Sequence, residues 1–480
     1  MMWYQHRRHL VVLVIGSVLA SACAGVPLLS SHNLPRSASD RVASASFDPG
    51  QVIVWLALSG GGTRAAALAY GVMERLEELK VTGEDSRPSS LLREVDYISS
   101  VSGGSFAAAF YALNQTNQNW KAEFRQRVLD ANLEMAIGRR LIEPSTFLWA
   151  TLTNYTRSDV AADYYDTHIF DGKRFRDLPP RPKLILNSSD LVAGRRFEFT
   201  PQDFACLNSN LGEFRIAEAV TASSAFPGAF PSVVLSNHGP HAQCQKDAPP
   251  SPGPRCLTFQ QLAADPFIFK ESRAGVPAER DSVRNRLYIE QTKKLRYCDL
   301  DQTARIHLSD GGITDNLGID AFISRAEDPG LELHPRIFQG QAKAVVIISV
   351  NAATSPDENL GKKSESAWFG KILLKGIDLF MERVALDSLE GVRERLFDFE
   401  RRVRRQNDGF RFYFIEVVLD DIQDIERRHR LQNIGTRLYL PPDQVQDLIA
   451  VGRELLESGR NGDNKRDVER AIMLFNSLSR

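Results

Sequence analysis

Short runs of apolar residues with few polar positions recur along the chain, and segments with helical spacing lie between them. Such runs are typical of strands buried on both faces, as in a sheet covered by helices. The helical spacing is clearest at 65–79, where small and apolar residues are followed by charges on one face. The pattern predicts an α/β chain with strands at 52–58, 95–101, 183–190, 195–199, 305–309, 344–351 and 412–419, one or two helices at 368–405 and a closing helix at 441–458.

The first 22 residues have the pattern of an export signal. Two arginines precede an apolar run at 10–20, which is too short to span a bilayer and ends in small residues before Cys23. We therefore predict that 1–22 is a signal peptide. The residues before Cys23 also resemble a bacterial lipobox, although Leu19 lies one place early, and the alternative is ordinary signal-peptidase cleavage at the same bond.

Cysteine parity favours lipidation of Cys23. Its acylation leaves four cysteines, an even number in an oxidising compartment. The simplest pairing joins Cys244 to Cys256, across a proline-rich hairpin, and Cys206 to Cys298. The alternative is four buried thiols.

The charge balance excludes one class of function. With 59 Lys and Arg against 60 Asp and Glu, the net charge is −1, which gives no electrostatic basis for binding nucleic acid. Residues 23–50 are rich in Ser, Pro, Ala and Gly and are predicted to be a flexible tether. Residues 51–355 are predicted to form the main domain, and 356–480 a helical and strand region that packs on it.

One predicted strand ends abruptly at Ser102, where Ser-Gly-Gly precedes a helix-compatible run of small residues. A serine at such a turn exposes its hydroxyl beside the positive end of a helix. The usual elbow pattern is G-x-S-x-G; here Gly104 fills the last position, and Ser100 stands where the first glycine is usual. Ser102 is the candidate nucleophile. The alternative is a strand-to-helix turn without chemistry.

A glycine loop, Gly60-Gly61-Gly62, joins the first predicted strand to a helix. Backbone amides at such a place suit a phosphate or the oxyanion of acyl transfer. The spacing Gly60-x-Gly62-x-x-Ala65 also fits a dinucleotide fingerprint. However, Glu78, which has the spacing of the ribose-binding acid, falls within the predicted helix. A P-loop is disfavoured because no Gly-Lys-Ser/Thr follows.

Asp310, the candidate base, ends an alternating strand and precedes two glycines, which indicate close packing or positive φ. Only His307 lies nearby in sequence, and an odd separation places it on the opposite face of the strand. His238 and His241 lack a partner cluster, so we interpret them as loop residues rather than metal ligands.

The glycine loop with Arg64, the Ser102 elbow and Asp310-Gly311-Gly312, in that order, resemble the motifs of the patatin-like phospholipases. Segments at 187–199 and 222–227 resemble two further blocks of that family. The resemblance covers roughly the main domain, and the three motifs together are specific.

This resemblance implies a three-layer α/β/α hydrolase fold with a central, mostly parallel sheet. It implies that Ser102 attacks an acyl carbonyl, that Asp310 activates it without a histidine, and that the glycine loop forms the oxyanion hole. Arg64 is the implied anion-side contact. The stretch at about 232–305 is longer than the usual family connection, so we treat it as an insertion.

The expected function is hydrolysis of phospholipid or other lipid acyl esters through an acyl-serine, with no metal or organic cofactor. The alternative is a surface lipoprotein that binds lipid or a partner on the same scaffold without catalysis. We expect the protein to be exported and anchored by lipid on Cys23, in the outer membrane of a Gram-negative bacterium. The alternative is a soluble periplasmic or secreted protein.

Overall fold

The computed structural model of the chain describes residues 32–36, 49–83, 86–239, 278–354, 376, 390–459 and 462–478. The strands are β1 Val52–Leu58, β2 Lys80–Thr82, β3 Pro88–Ser90, β4 Tyr97–Val101, β5 Lys183–Asp190, β6 Arg195–Glu198, β7 Val233–Ser236, β8 Arg305–Asp310, β9 Ala344–Asn351 and β10 Arg411–Val418. The helices of the first half are α1 Gly62–Glu78, α2 Gly103–Asn114, α3 Trp120–Phe124, α4 Leu133–Leu141, α5 Pro144–Leu152, α6 Arg157–His168, α7 Pro201–Cys206 and α8 Ile216–Ser223. Those of the second half are α9 Ala278–Lys294, α10 Asp320–Glu327, α11 Leu333–Phe338, α12 at 390–404, α13 Ile425–Gln432, α14 Pro442–Glu457 and α15 Asp463–Leu478.

One eight-stranded sheet organises the structure, in the order β10-β9-β1-β4-β5-β8-β7 with β6 paired to β5. The strands from β10 to β5 run parallel to their neighbours. Strand β8 is antiparallel to both β5 and β7, and β6 is antiparallel to β5. Helices flank this mostly parallel sheet, so the predicted fold class is confirmed.

Strand β1 shows why the sheet lies between two layers of helices. Its seven residues are all buried, and they alternate between two cores. Val54 and Leu56 face a core that includes α1, α2 and α14, whereas Ile53 and Trp55 face one that includes α10 and α12. Because successive strand residues point to opposite faces, a continuous apolar run is what a doubly covered strand requires.

The sequence predicts that residues 23–50 are a flexible tether, but part of this segment contacts the main domain. His32 Nε2 lies 3.1 Å from Asp159 Oδ1, and its Nδ1 lies 3.3 Å from Glu218 Oε1. Burial lowers the pKa of His32, but the two carboxylates together raise it to about 10. Pro35 forms an isolated β-bridge with Ser209. Residues 32–36 are therefore docked on the main domain.

The predicted insertion begins inside the sheet. Val233–Ser236 lie within the predicted insertion. They form β7 and pair with β8 along four residues. Helix α9 returns the chain to the domain through Lys294, whose Nζ lies 2.9 Å from Asp203 Oδ1. The predicted insertion therefore contributes both a strand and a helix to the described fold.

The carboxyl-terminal region completes the sheet. Strand β10 runs parallel to β9 along its full length, and α14 packs on α1 through close backbone approaches at Gly71 and Gly452. Of the predicted helix at 368–405, the part at 390–404 is helical, and most of 368–389 lies outside the described residues. Among the helices that the structure describes, none is both long and apolar enough to cross a bilayer.

Candidate active site

A sharp turn at Ser102 joins β4 to α2. Ser102 has φ 48° and ψ −120°, a region that non-glycine residues rarely adopt. Its amide donates to Ser223 Oγ at 2.9 Å. A Cβ on Gly103 would lie 2.0 Å from Gly62 O, and one on Gly104 would lie 2.6 Å from a main-chain carbonyl after β1. Close packing against the glycine loop thus holds Ser102 in its strained conformation.

Ser100 fits where a glycine is usual because its hydroxyl has a buried partner. Ser100 Oγ lies 3.1 Å from Ser105 Oγ, which lies 2.9 Å from Ser223 Oγ. Ser223 donates its only hydroxyl proton to Asn187 O at 2.7 Å, so Ser105 must donate to Ser223, and Ser100 to Ser105. These three hydroxyls support the elbow through Ser223, which accepts from the Ser102 amide.

Asp310 lies at the end of β8, beside the elbow. Asp310 Oδ1 accepts from the Gly312 amide at 2.8 Å. Burial raises the pKa of Asp310 to about 6, although the Gly312 amide and the nearby Ser102 hydroxyl offset part of the rise. Gly311 is required because a Cβ there would lie 2.4 Å from Asn187 O. The site therefore combines a serine hydroxyl with a buried base.

The glycine loop lies against the elbow, since a Cβ on Gly60 would be 3.3 Å from Ser102 Cβ. Gly61 and Gly62 have φ of 136° and 61°, conformations that favour glycine. Within the described part of the chain, their two amides have no hydrogen-bond partner. Amides of this kind beside a nucleophile can stabilise a developing oxyanion.

Gly60 has a different role from the one predicted. Its amide donates to Asn316 O at 3.1 Å, so it does not offer a third donor to an oxyanion. A Cβ at this position would lie 2.4 Å from Asn316 Oδ1. Gly60 thus fastens the loop to the segment that follows Asp310, a contact that the sequence did not reveal.

Arg64 was predicted to contact an anion, and this remains a prediction. The residue is 3% exposed, its Nε donates to Ala352 O at 2.9 Å, and its Nη1 donates to Ile434 O. Nη2 lies beside the glycine loop, where a Cβ on Gly61 would be 2.8 Å from it, and the other two nitrogens connect α1 to the end of β9 and to a carboxyl-terminal segment.

That segment, residues 434–437, crosses the glycine loop and was missed by the sequence analysis. Arg437 O accepts from the Thr63 amide at 2.8 Å, and a Cβ on Gly62 would lie 2.2 Å from the same oxygen. No local pattern could have indicated this contact, because Arg64 and Ile434 are 370 positions apart. Ser223 was also missed as a support of the elbow, although its small-residue block stood out in the sequence.

None of the described histidines hydrogen-bonds Ser102 or Asp310. His307 is exposed, with Nδ1 3.2 Å from Ser232 Oγ, and His238 Nε2 lies 3.0 Å from Asn33 O. His241 lies outside the described residues. No cluster of three or more His, Cys, Asp or Glu suited to a metal occurs in the part of the chain that the structure describes.

The cysteines do not pair as predicted. Cys298 is disulfide-bonded, whereas Cys206 is a thiol buried in the main core at the end of α7. The predicted Cys206–Cys298 bond is therefore wrong. Cys23, Cys244 and Cys256 lie outside the described residues, and so does the partner of Cys298.

Glu78 does not support the dinucleotide alternative. It is the last residue of α1, and its carboxylate lies 2.8 Å from Arg75 Nη1 and 2.9 Å from Arg453 Nη2. A ribose-binding acid is expected at the end of the second strand instead. Acyl transfer at a serine is the chemistry that the glycine loop, Ser102 and Asp310 allow together.

A family comparison agrees with this class. Residues 56–323 match the family model described as patatin-like phospholipase, which covers more than half of the chain. The chain therefore belongs to the patatin-like phospholipase family.

Comparison with individual proteins adds little. No curated protein sequence matches the chain. Among solved structures, human GIVD cytosolic phospholipase A2 matches with 11% identity and a TM-score of 0.41, over 89% of this chain and 62% of the human one. The chain thus spans less than two thirds of that structure.

Proposed function

We propose that the protein hydrolyses acyl esters of phospholipids or related lipids through a Ser102–Asp310 dyad. The observation that carries the proposal is the buried Asp310 carboxylate beside the Ser102 elbow. Gly311, the next residue, packs against Val101, and the nearby Ser102 hydroxyl helps to lower the pKa of Asp310. A serine hydroxyl is a weak nucleophile at neutral pH and needs a base within hydrogen-bond reach. Burial gives Asp310 a higher proton affinity than an exposed aspartate, which suits that role.

In the first half-reaction Ser102 Oγ bonds to the acyl carbon and its proton moves to Asp310. The carbonyl oxygen becomes an oxyanion, which the amides of Gly61 and Gly62 stabilise. The ester C–O bond then breaks, the leaving alcohol takes the proton from Asp310, and an acyl-serine remains. In the second half a water attacks the acyl carbon, its proton passes to Asp310 and then to Ser102, and the fatty acid leaves.

Covalent labelling tests the proposal against the non-catalytic alternative. A fluorophosphonate probe should label the wild-type protein at Ser102, and acyl chains should be released from phospholipid, lysophospholipid or simple ester substrates. The matched control is Ser477→Ala, which removes an exposed hydroxyl that donates to Leu474 O and should keep the labelling site. A folded protein that neither labels nor releases acyl chains would be a lipid- or partner-binding lipoprotein.

The pH dependence of hydrolysis should report the base. Because Asp310 must be ionised to accept a proton and its pKa lies at about 6, kcat/KM should rise through pH 6 and then level off. The measurement is kcat/KM on a soluble ester between pH 3 and pH 8. A midpoint at pH 4, the value of an exposed aspartate, would contradict the assignment of Asp310.

We also propose that the protein is exported and anchored by acyl chains on Cys23, with the outer membrane as its place. Support comes from the apolar run at 10–20 and the small residues before Cys23. In cell fractionation, Cys23→Ser should move the protein from the membrane pellet to the soluble periplasmic fraction. Ser21→Ala, a neutral change beside the cleavage site, should leave it in the pellet, and unchanged fractionation of Cys23→Ser would contradict the anchor.

A further inference from the structure

The stretch that contains α4 and α5 exposes an unusual concentration of apolar side chains. Ile142 is 80% exposed, and Leu148, Trp149 and Leu152 are each at least 44% exposed. We call these four side chains the apolar surface. Leu148 and Leu152 lie one turn apart on α5 and Trp149 lies beside them. Apolar side chains exposed together, rather than singly, mark an interaction site.

The charges around the apolar surface are those that suit an anionic partner. Arg139 and Arg157 are exposed on either side of it. From Arg139 to Ser158 the chain contains three arginines and one acidic residue, Glu143. Tryptophan and arginine beside exposed aliphatic side chains are typical of segments that lie at a lipid headgroup boundary.

Both ends of this stretch are connected to residues that contact the active site. After α5, Ser158 Oγ donates to Pro231 O at 2.6 Å, and the Arg157 guanidinium lies 5.0 Å from the centre of the Phe230 ring. A compact turn connects Phe230 to Ala225, whose carbonyl accepts from the Asp310 amide at 3.0 Å. The far end of the stretch is thus tied to the candidate base.

The near end is tied to the glycine loop. In α4, Glu134 Oε1 accepts from the Leu438 amide at 2.9 Å, directly after the segment whose Arg437 carbonyl accepts from Thr63. The apolar surface therefore lies in the chain between contacts to the glycine-loop side and to the Asp310 side of the site.

The docked amino-terminal segment lies on the same side. His32 binds Asp159 at 3.1 Å, and Asp159 is in the first turn of α6, seven residues after Leu152. Nine residues extend at most about 30 Å, so an acyl chain on Cys23 would hold this side of the protein close to a bilayer.

We propose that the apolar surface docks the protein on an anionic lipid bilayer, from which the active site draws its substrate. The proposal rests on the proposed lipid hydrolysis for its choice of partner. A second copy of the chain is a weaker candidate, because stable protein interfaces bury about 800 Å² on each partner, more than one nine-residue helix offers. Four side chains inserted to headgroup depth, with two arginines on phosphates, are sufficient for a reversible membrane contact.

Fluorescence quenching tests docking without requiring catalysis. Full-length Ser102→Ala protein is mixed with phosphatidylglycerol vesicles whose acyl chains are brominated, and compared with Ser102→Ala that also carries Trp149→Phe. We expect bromine to quench a component of the emission that the Trp149→Phe protein lacks, and expect less quenching in phosphatidylcholine. Equal quenching in the two proteins would overturn the proposal.

Hydrolysis gives the second readout. In the wild-type background, Leu148→Asp with Trp149→Asp should lower the rate on phosphatidylglycerol vesicles about tenfold or more, and leave the rate on a soluble short-chain ester unchanged. The matched control is Ile425→Asp with Met473→Asp, which places the same charges at two other exposed apolar positions and should change neither rate.

The outcomes separate the two proposals. Retained vesicle hydrolysis in the Leu148 and Trp149 variant overturns docking, and so does sedimentation that shows this variant dissociating a dimer. A wild-type protein that hydrolyses neither vesicles nor the soluble ester overturns the proposed function, while the quenching of Ser102→Ala still decides whether the apolar surface meets lipid.

Discussion

Replacing Asp310 by asparagine is expected to abolish ester hydrolysis and to make the folded protein more stable at pH 8. An asparagine can accept the Gly312 hydrogen bond, but it cannot take the proton of Ser102. We expect kcat/KM to fall by at least about a thousandfold, which is the loss seen when a nucleophile is deprived of its base. Ser102→Ala should show a similar loss.

The gain in stability follows from the direction of the pKa shift. The pKa of Asp310 is about 6 in the folded protein and about 3.9 in an unfolded chain. The folded state therefore binds this proton more tightly, so its stabilising contribution is full below pH 4 and is lost as the pH rises to 6. At pH 8, Asp310→Asn removes a buried charge whose cost is on the order of 2–3 kcal/mol.

Urea unfolding at pH 5 and pH 8, together with kcat/KM on a soluble ester, checks both parts. Asp315→Asn is the matched control, because burial and Asp320 raise the pKa of Asp315 to about 6 as well, yet its carboxylate accepts from backbone amides and not from Ser102. In that variant the midpoint of the pH–rate profile should stay near 6. An Asp310→Asn protein with a tenth or more of wild-type activity would contradict the proposed dyad.

Replacing Asp203 by alanine is expected to destabilise the protein more than any surface substitution. Asp203 and Arg195 form a buried ion pair with Oδ2 and Nη2 3.0 Å apart, and both side chains are almost completely buried. Lys294 Nζ lies 2.9 Å from the same carboxylate, and the Glu198 amide donates to it at 2.9 Å. Removing Asp203 leaves the Arg195 charge buried without its partner, which costs about 3–5 kcal/mol.

The free energy of unfolding in urea at pH 7 is the measurement, with Asp467→Asn as the control because Asp467 pairs with the exposed Arg470. That change should alter stability by less than about 0.5 kcal/mol. Burial raises the pKa of Asp203, but Arg195 and Lys294 together hold it well below its ordinary value. The advantage of the wild type should therefore be full above pH 4 and shrink as the pH falls below it. Equal stability of the Asp203→Ala and Asp467→Asn proteins would contradict this role.

The strands and the main elements of the site could be predicted because their signals are local. The continuous apolar run of β1 reports burial on both faces, and Ser102 and Asp310 each stand where a strand meets glycines. The glycine positions could be predicted for the same reason, because close backbone approaches exclude a Cβ.

The errors share a different cause, because each depended on a partner far away in sequence. Gly60 gives its amide to Asn316 and not to an oxyanion. Cys206 is buried at the end of α7 and not bonded to Cys298, and His32 is docked on Asp159. Composition and spacing describe what a residue can do, but they do not identify the residue that will reach it from another part of the chain.

Residues 434–437 contact the glycine loop, and this contact can form only late in the synthesis of the protein. The ribosome synthesises a chain from its amino end, so Ser102 and Asp310 both emerge long before Arg437 can hold Thr63 and Gly62. A chain interrupted between Asp310 and this segment contains Ser102 and Asp310 and still lacks the contacts of Arg437 with Thr63 and Gly62. Partial translation products of this kind therefore lack part of the support of the glycine loop.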